Sequence, residues 1–232
     1  MAKNYFIAGT DTSVGKTFIA CALMKAAHKT GLSTAAIKPV AAGCELMDGE
    51  LKNDDALLLQ QCMSKDLDYE VVNPVALEPA IAPHIAAQKA GKNITVSRLT
   101  GYCRGTLMCA GQFNVVEGAG GWRVPLNNRE TMADLVKELR LPVILVVGMR
   151  LGCINHTLLT VEAILRDGLQ IAGWIANCID PNMPALQENI DSIETRLAFP
   201  LLAKVDFIDQ NDLVASIEQA AEQMDLEPLL GR

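Results

Sequence analysis

Four groups of residues in this chain have the types and spacing to handle a triphosphate. The first is GTDTSVGKT, residues 9–17, which ends in Gly15-Lys16-Thr17. Such a loop offers backbone amides to phosphate oxygens, an ammonium to their charge and a hydroxyl to Mg2+. The usual spacing places four residues between its two glycines; here five intervene, and Thr10 stands where the first glycine is expected. The second group centres on Lys38, which ends the apolar run AAI and precedes Pro39. A lysine at the carboxyl end of a strand lies where open α/β sheets bind ligands, and beside a phosphate loop it is a candidate second cation. The third, Asn53-Asp54-Asp55, opens a helical stretch. Its carboxylates either favour the helix N-terminus or supply a Mg2+ ligand. The fourth is Glu117, which ends FNVVE and is followed by Gly118-Ala119-Gly120-Gly121. A strand-end carboxylate is the second acidic residue of a phosphate-loop enzyme, and glycines let backbone approach a ligand closely.

Other polar residues carry weaker signals. The segment 148–157, GMRLGCINHT, joins an apolar strand to a helix whose N-terminus would suit an anion. His156 there reads as a packing or capping residue, and His28 and His84 have no partners spaced for metal or triad chemistry. Trp122 and Trp174 read as structural.

The elements that position these groups follow from periodicity. Apolar runs predict strands at 5–8, 35–37, 113–117, 143–147 and 171–177, with VILVV at 143–147 central. Helical spacing predicts helices at 17–29, 53–62, 96–111, 131–139, 155–167, 185–197 and 211–224. Strands alternating with helices predict a P-loop NTPase-like α/β fold, a doubly wound, mainly parallel sheet flanked by helices. VNPVALEPAIAPH, 72–84, reads as irregular: an excursion near the active site or a long loop. No domain boundary is visible, so residues 1–232 are expected to form a single domain.

Composition narrows the function. Half of the 232 residues are hydrophobic and only 4% aromatic, which suits an aliphatic core around a parallel sheet. A net charge of −7 with no basic run disfavours nucleic acid and anionic membranes. No apolar segment approaches the roughly 20 residues of a membrane span, and the N-terminus reads as a strand, not a signal peptide. The seven cysteines include no C-x-x-C pair and read as buried thiols in a reducing cytosol. A cytoplasmic location is expected.

Taken in order, GTDTSVGKT, KPVAAG, NDDA, VNP, PHIAA, VEGAGGW, LPVILVVGMRLGCINHTLLT and GWIAN resemble dethiobiotin synthetase. The matches run from residue 4 to about 205, and the extra loop residue is that family's own form. The resemblance implies an ATP-dependent cyclo-ligase acting on 7,8-diaminopelargonic acid and CO2, through a carbamate and a carbamic–phosphoric anhydride. It implies Lys38 and Lys16 as catalytic residues, and Thr17, Asp55 and Glu117 as ligands of Mg2+. ATP would lie against Ser13, Val14, Gly15, Lys16, Thr17 and Phe18, with Asp55, Glu117, Gly118, Ala119 and Gly120. Asn177 would read the adenine, and Val205, Asp206 and Phe207 would close over the nucleoside. Substrate would meet Lys38 and Ala42, and, across a homodimer interface, Leu151, Gly152, Cys153 and Asn155 of the other copy.

The chain departs from the family pattern at Ala42, where serine is frequent, and at Ser13, where glutamate is frequent. Loss of a substrate hydrogen bond at Ala42 would cost about 0.5–1.5 kcal/mol. The segment 204–207 lacks a proline–tryptophan pair seen in some relatives. Three rival readings stand beside this one. A regulatory ATPase of the MinD/ParA kind would carry an early lysine where this chain has Thr10, Asp11 and Thr12. An amidotransferase-coupled synthetase would need a further glutaminase domain. A nucleotide-binding module without activity would not need two lysines and two carboxylates together.

Overall fold

The computed structural model describes residues 2–208 and 212–231. In chain order, the first half contains β1 (Lys3–Gly9), α1 (Lys16–Lys29), β2 (Thr34–Ile37), β3 (Ala41–Ala42), β4 (Glu45–Met47), β5 (Glu50–Lys52), α2 (Asp54–Cys62), α3 (Tyr69–Val72), β6 (Ala76–Leu77), α4 (Pro83–Lys89) and α5 (Val96–Cys109). The second half contains β7 (Phe113–Glu117), α6 (Met132–Leu139), β8 (Val143–Gly148), α7 (Cys153–Arg166), β9 (Ile171–Asn177), α8 (Leu186–Glu194), β10 (Leu201–Val205), α9 (Leu213–Ala221) and α10 (Glu227–Leu230).

Six strands form one parallel sheet in the order β10-β9-β8-β1-β7-β2. Both faces of this sheet are covered, which is why β8 reads VILVVG with every residue buried. Side chains alternate between the faces with the strand period of two. Tyr5 and Ile7 of β1 enter a core with α1, α2 and α9, while Phe6 and Ala8 enter a core with α5, α6 and α7. Trp174 is fully buried in the second core.

Helix starts follow local chemistry. Asn53 caps α2 by accepting a hydrogen bond from the Ala56 amide at 3.4 Å. Thr131 and Asp134 form a capping box on α6. Gly15 precedes α1 in the left-handed region, at φ 85°.

The predicted strands and helices are present, with ends displaced by at most three residues. The first residue of the helix predicted at 211–224 lies outside the described residues. Several features differ from the sequence reading. The small pairs β3–β6 and β4–β5 have too few residues for a clear period, and the edge strand β10 adds a sixth strand to the sheet. The stretch 72–84 is also more ordered than expected: it contains β6 and the first two residues of α4, which Pro83 opens.

Candidate active site

The carboxyl ends of β1, β2 and β7 meet at one edge of the sheet, beside the start of α1. A cavity of about 950 Å3 opens there. The phosphate loop reaches it from β1, and α1 starts with Lys16 and Thr17 on its wall. No side chain caps α1, so the amides of its first turn are available to an anion. A Cβ on Gly15 would stand 2.2 Å from the Asn177 amide nitrogen, so glycine is required there for packing as well as for φ.

Lys38, Asp55, Glu117 and Thr17 form a connected set in this cavity. Lys38 Nζ lies 2.7 Å from Asp55 Oδ2 and 2.6 Å from Glu117 Oε1. Thr17 Oγ1 donates to the same Glu117 oxygen at 2.9 Å. Glu117 is fully buried and Lys38 nearly so, whereas the Asp55 side chain is half exposed. Burial pulls the Lys38 ammonium down, but the charges of Glu117 and Asp55 outweigh it and hold its pKa above the ordinary lysine value. Burial pushes the Asp55 carboxyl up, yet the adjacent Lys38 charge brings it below the usual value. Among the described residues Lys16 has no such close pair. Burial lowers its pKa, Glu117 opposes this in part, and Lys38 adds to the lowering. Its ammonium donates to the Asp11 carbonyl at 3.2 Å.

Glu117 Oε2 is buried with no hydrogen-bond partner among the described residues. A buried carboxylate oxygen left bare is costly, so it calls for a cation or donor from a ligand. Among the described residues no group of three or more His, Cys, Asp or Glu could hold a metal by itself. Mg2+ is ordinarily held by one or two carboxylates together with substrate phosphates, and an oxygen set of hydroxyl and carboxylates suits it. Thr17, Asp55 and Glu117 fit that description.

Of the residues singled out in the sequence, Ser13, Gly15, Lys16, Thr17, Phe18, Lys38, Ala42, Asp55, Glu117, Gly118, Ala119 and Gly120 line this cavity. Val14 is buried beneath the loop, where its carbonyl accepts from Asn177 Nδ2 at 2.9 Å. Asn177, Val205, Asp206 and Phe207 stand at the ends of β9 and β10 and do not line the cavity. Leu151, Gly152 and Asn155 are exposed and Cys153 is buried at the start of α7, also outside it.

A family model described as an AAA domain matches residues 3–213. An ATP-dependent dethiobiotin synthetase BioD from Cellvibrio japonicus is 54% identical over 228 residues, covering 98% of each chain. The protein of that name from Pseudomonas paraeruginosa is 52% identical over 225 residues, covering 97% of each. The chain belongs to the dethiobiotin synthetase family. A ParA family ATPase from Chlorobium tepidum aligns with a TM-score of 0.62 over 99% of both chains at 12% identity, which is a likeness of fold.

This dethiobiotin synthetase family member contains site features that the sequence reading did not single out. Ala80, Ile81, Ala82 and Pro83 also wall the cavity, with Leu58, Val124, Pro125 and Leu213. The signal available was the proline-rich stretch itself, read as an excursion or a loop. Arg123 also lines the cavity and pairs with Asp167, which in turn accepts from Trp122 Nε1 at 2.9 Å. Arg150 reaches Asp11 of the phosphate loop at 2.5 Å, tying the turn before α7 to that loop. These contacts join residues 44 to 139 apart in sequence, and no local pattern announces them.

Proposed function

We propose that the chain makes dethiobiotin from 7,8-diaminopelargonic acid, CO2 and ATP, releasing ADP and phosphate. One observation carries this: in a chain related over nearly its whole length to ATP-dependent dethiobiotin synthetases, Lys16 and Lys38 share one cavity with Thr17, Asp55 and Glu117. One amine of the substrate captures CO2 as a carbamate. A carbamate oxygen attacks the γ-phosphorus, ADP leaves, and a carbamic–phosphoric anhydride results. The second amine attacks the carbamate carbon, closes the ureido ring and expels phosphate.

The residues divide this work by charge and position. The loop amides and Lys16 hold the phosphates, and Lys38 neutralises charge on the carbamate and the transferring group. Phosphoryl transfer asks for little else from the protein than positioning and charge stabilisation. Thr17, Asp55 and Glu117 would hold Mg2+. When bound, Mg2+ offsets the negative charge of the phosphate oxygens. The apolar wall of Leu58, Ile81, Pro83 and Val124 suits the methylene chain of the substrate. Asn177, Val205, Asp206 and Phe207 are assigned to the nucleoside.

The assembly we propose is a homodimer in which Leu151, Gly152, Cys153 and Asn155 meet the substrate of the other copy. Leu151 at 92% exposure and Leu159 at 57% support an interface on this side of α7. No helix among the described residues is long and apolar enough to cross a membrane. All seven cysteines are free thiols, which supports a reducing cytoplasm.

The deciding experiment follows ADP release from MgATP and bicarbonate, with and without the diamine, together with product mass. The expected result is strict dependence on the diamine and a product heavier by one carbonyl less two hydrogens. ADP release indifferent to the diamine, without that product, would reduce the protein to an ATPase of the same fold.

A further inference from the structure

The stretch VNP, with the tyrosine four residues before its asparagine, has no place in the chemistry above, yet it is built into the support of Lys38. The backbone of Lys38 is bracketed by residues 72 and 73. Its amide donates to the Val72 carbonyl at 2.7 Å, and its carbonyl accepts from Asn73 Nδ2 at 2.7 Å. Asn73 is buried, at 3% exposure. Its other side-chain atom, Oδ1, accepts from the Tyr69 hydroxyl at 3.0 Å. That hydroxyl accepts in turn from the backbone amide of Asn53 at 2.7 Å. Asn53 is the cap of α2, the helix whose second residue, Asp55, accepts the Lys38 ammonium.

These bonds close a ring. Lys38 reaches α2 once through its ammonium and Asp55, and once through its own carbonyl, Asn73, Tyr69 and Asn53. The side-chain link must open or shift if Lys38 turns towards a phosphoryl group, because Asp55 then loses that partner. The second link does not depend on the ammonium. It keeps the end of β2 and the start of α2 in register while the ammonium moves.

We propose that Tyr69 and Asn73 are positioning residues for the reaction, holding the Lys38 backbone at a constant offset from the N-terminus of α2. Neither residue lines the cavity, so neither is assigned contact with substrate. The Tyr69 hydroxyl and the Asn73 amide bond to Asn53, to each other and to the Lys38 carbonyl, and not to the phosphate loop or α1, so the loop amides and Lys16 keep their hold on the phosphates without this link. The inference rests on Lys38 acting in phosphoryl transfer.

The test is Tyr69→Phe, which keeps the ring and removes only the hydroxyl that joins Asn53 to Asn73. A displacement of the order of 1 Å at a reacting group costs up to about 100-fold in rate. The expected result is a fall in kcat of about tenfold or more, with the KM and Kd for ATP within about twofold of the parent. Asn73→Ser, which shortens the link to the Lys38 carbonyl, is expected to show the same split, and the double variant to be no slower than the slower single one. Unchanged kcat in folded Tyr69→Phe would overturn the proposal. So would a loss of kcat matched by an equal loss of ATP affinity, which marks general loosening. Lys38→Met is run beside them: if it turns over normally, the assigned role of Lys38 fails, whatever Tyr69→Phe does. If Lys38→Met is inactive and Tyr69→Phe is unaffected, only the positioning role fails.

Discussion

Lys38 and Glu117 stand one step beyond the last register pair of β2 and β7, Ile37 and Val116, and their side chains close to 2.6 Å. Two parallel strands therefore deliver opposite charges side by side at the sheet's carboxyl edge. Glu117 is fully buried, and a charge so placed persists only when paired. The pair is at once the electrostatic centre of the cavity and part of what holds the edge together.

Glu117→Gln is expected to destabilise the protein by about 3 kcal/mol, since removing one member of a buried pair typically costs about 3–5 kcal/mol and Lys38 keeps Asp55. The pH dependence has a definite sign. Burial lowers the Lys38 pKa, but Glu117 and Asp55 outweigh it, so the folded value lies above the unfolded one. That contribution is complete below the unfolded lysine value of about 10.4 and is lost as pH rises through the folded value. Urea denaturation should show the full gap between parent and variant at neutral pH and a smaller gap above pH about 10.4. A gap that widens there would contradict the assignment.

Lys16 should take up a proton when ATP binds in the alkaline range. Burial holds its pKa low in the free protein, and the arriving phosphates bring the negative charge that raises it. Titration calorimetry across the alkaline range, in two buffers of different ionisation enthalpy, would detect the uptake. Equal apparent enthalpies would count against it. Lys16→Gln should abolish the uptake and reduce turnover by about 100-fold or more.

Gly15→Ala should weaken ATP binding without unfolding the chain. The residue sits at φ 85° and an added Cβ would meet Asn177 Nδ2 at 2.2 Å. Rearranging the loop to relieve a strain of about 1–3 kcal/mol corresponds to roughly a 5- to 150-fold rise in Kd. Equilibrium dialysis with ATP, alongside an unchanged circular dichroism spectrum, is the check. Parent-like affinity would mean that the loop does not hold the phosphates in this conformation.

Leu151→Glu tests the shared site. Leu151 is 92% exposed at the turn before α7, and a charge there would oppose burial in an interface. Light scattering should report two chains for the parent and one for the variant, and the monomer should be inactive. A fully active monomer would refute substrate binding across the interface.

Much of the site was legible because each element carries its own signal. Gly15-Lys16-Thr17 lies at a strand–helix junction, and Glu117 ends an apolar strand, so both are readable from a few neighbouring residues. The hairpin of β4 and β5 was not legible, since three residues give no reliable period, and neither was the edge strand β10, whose LLAKV is as long as β7 but is only partly buried and carries Lys204. Tyr69, Asp167 and the pairing of Arg150 with Asp11 were missed for another reason. Their partners are close in space and belong to other elements, and a tyrosine, an aspartate or an arginine looks the same in sequence whether or not it finds one.

The sequence by itself determined the fold class, the phosphate loop and the identity of the charged residues, because periodicity and motif spacing are local properties of the chain. Only the tertiary structure decided that Lys38 is held between Asp55 and Glu117, that Glu117 keeps one buried oxygen without a partner among the described residues, and that residues 80–83 wall the same cavity. Those facts depend on strand order, which places β7 between β1 and β2. Strand order is set by the burial of two whole sheet faces, an energy summed over the molecule and present in no short segment of it.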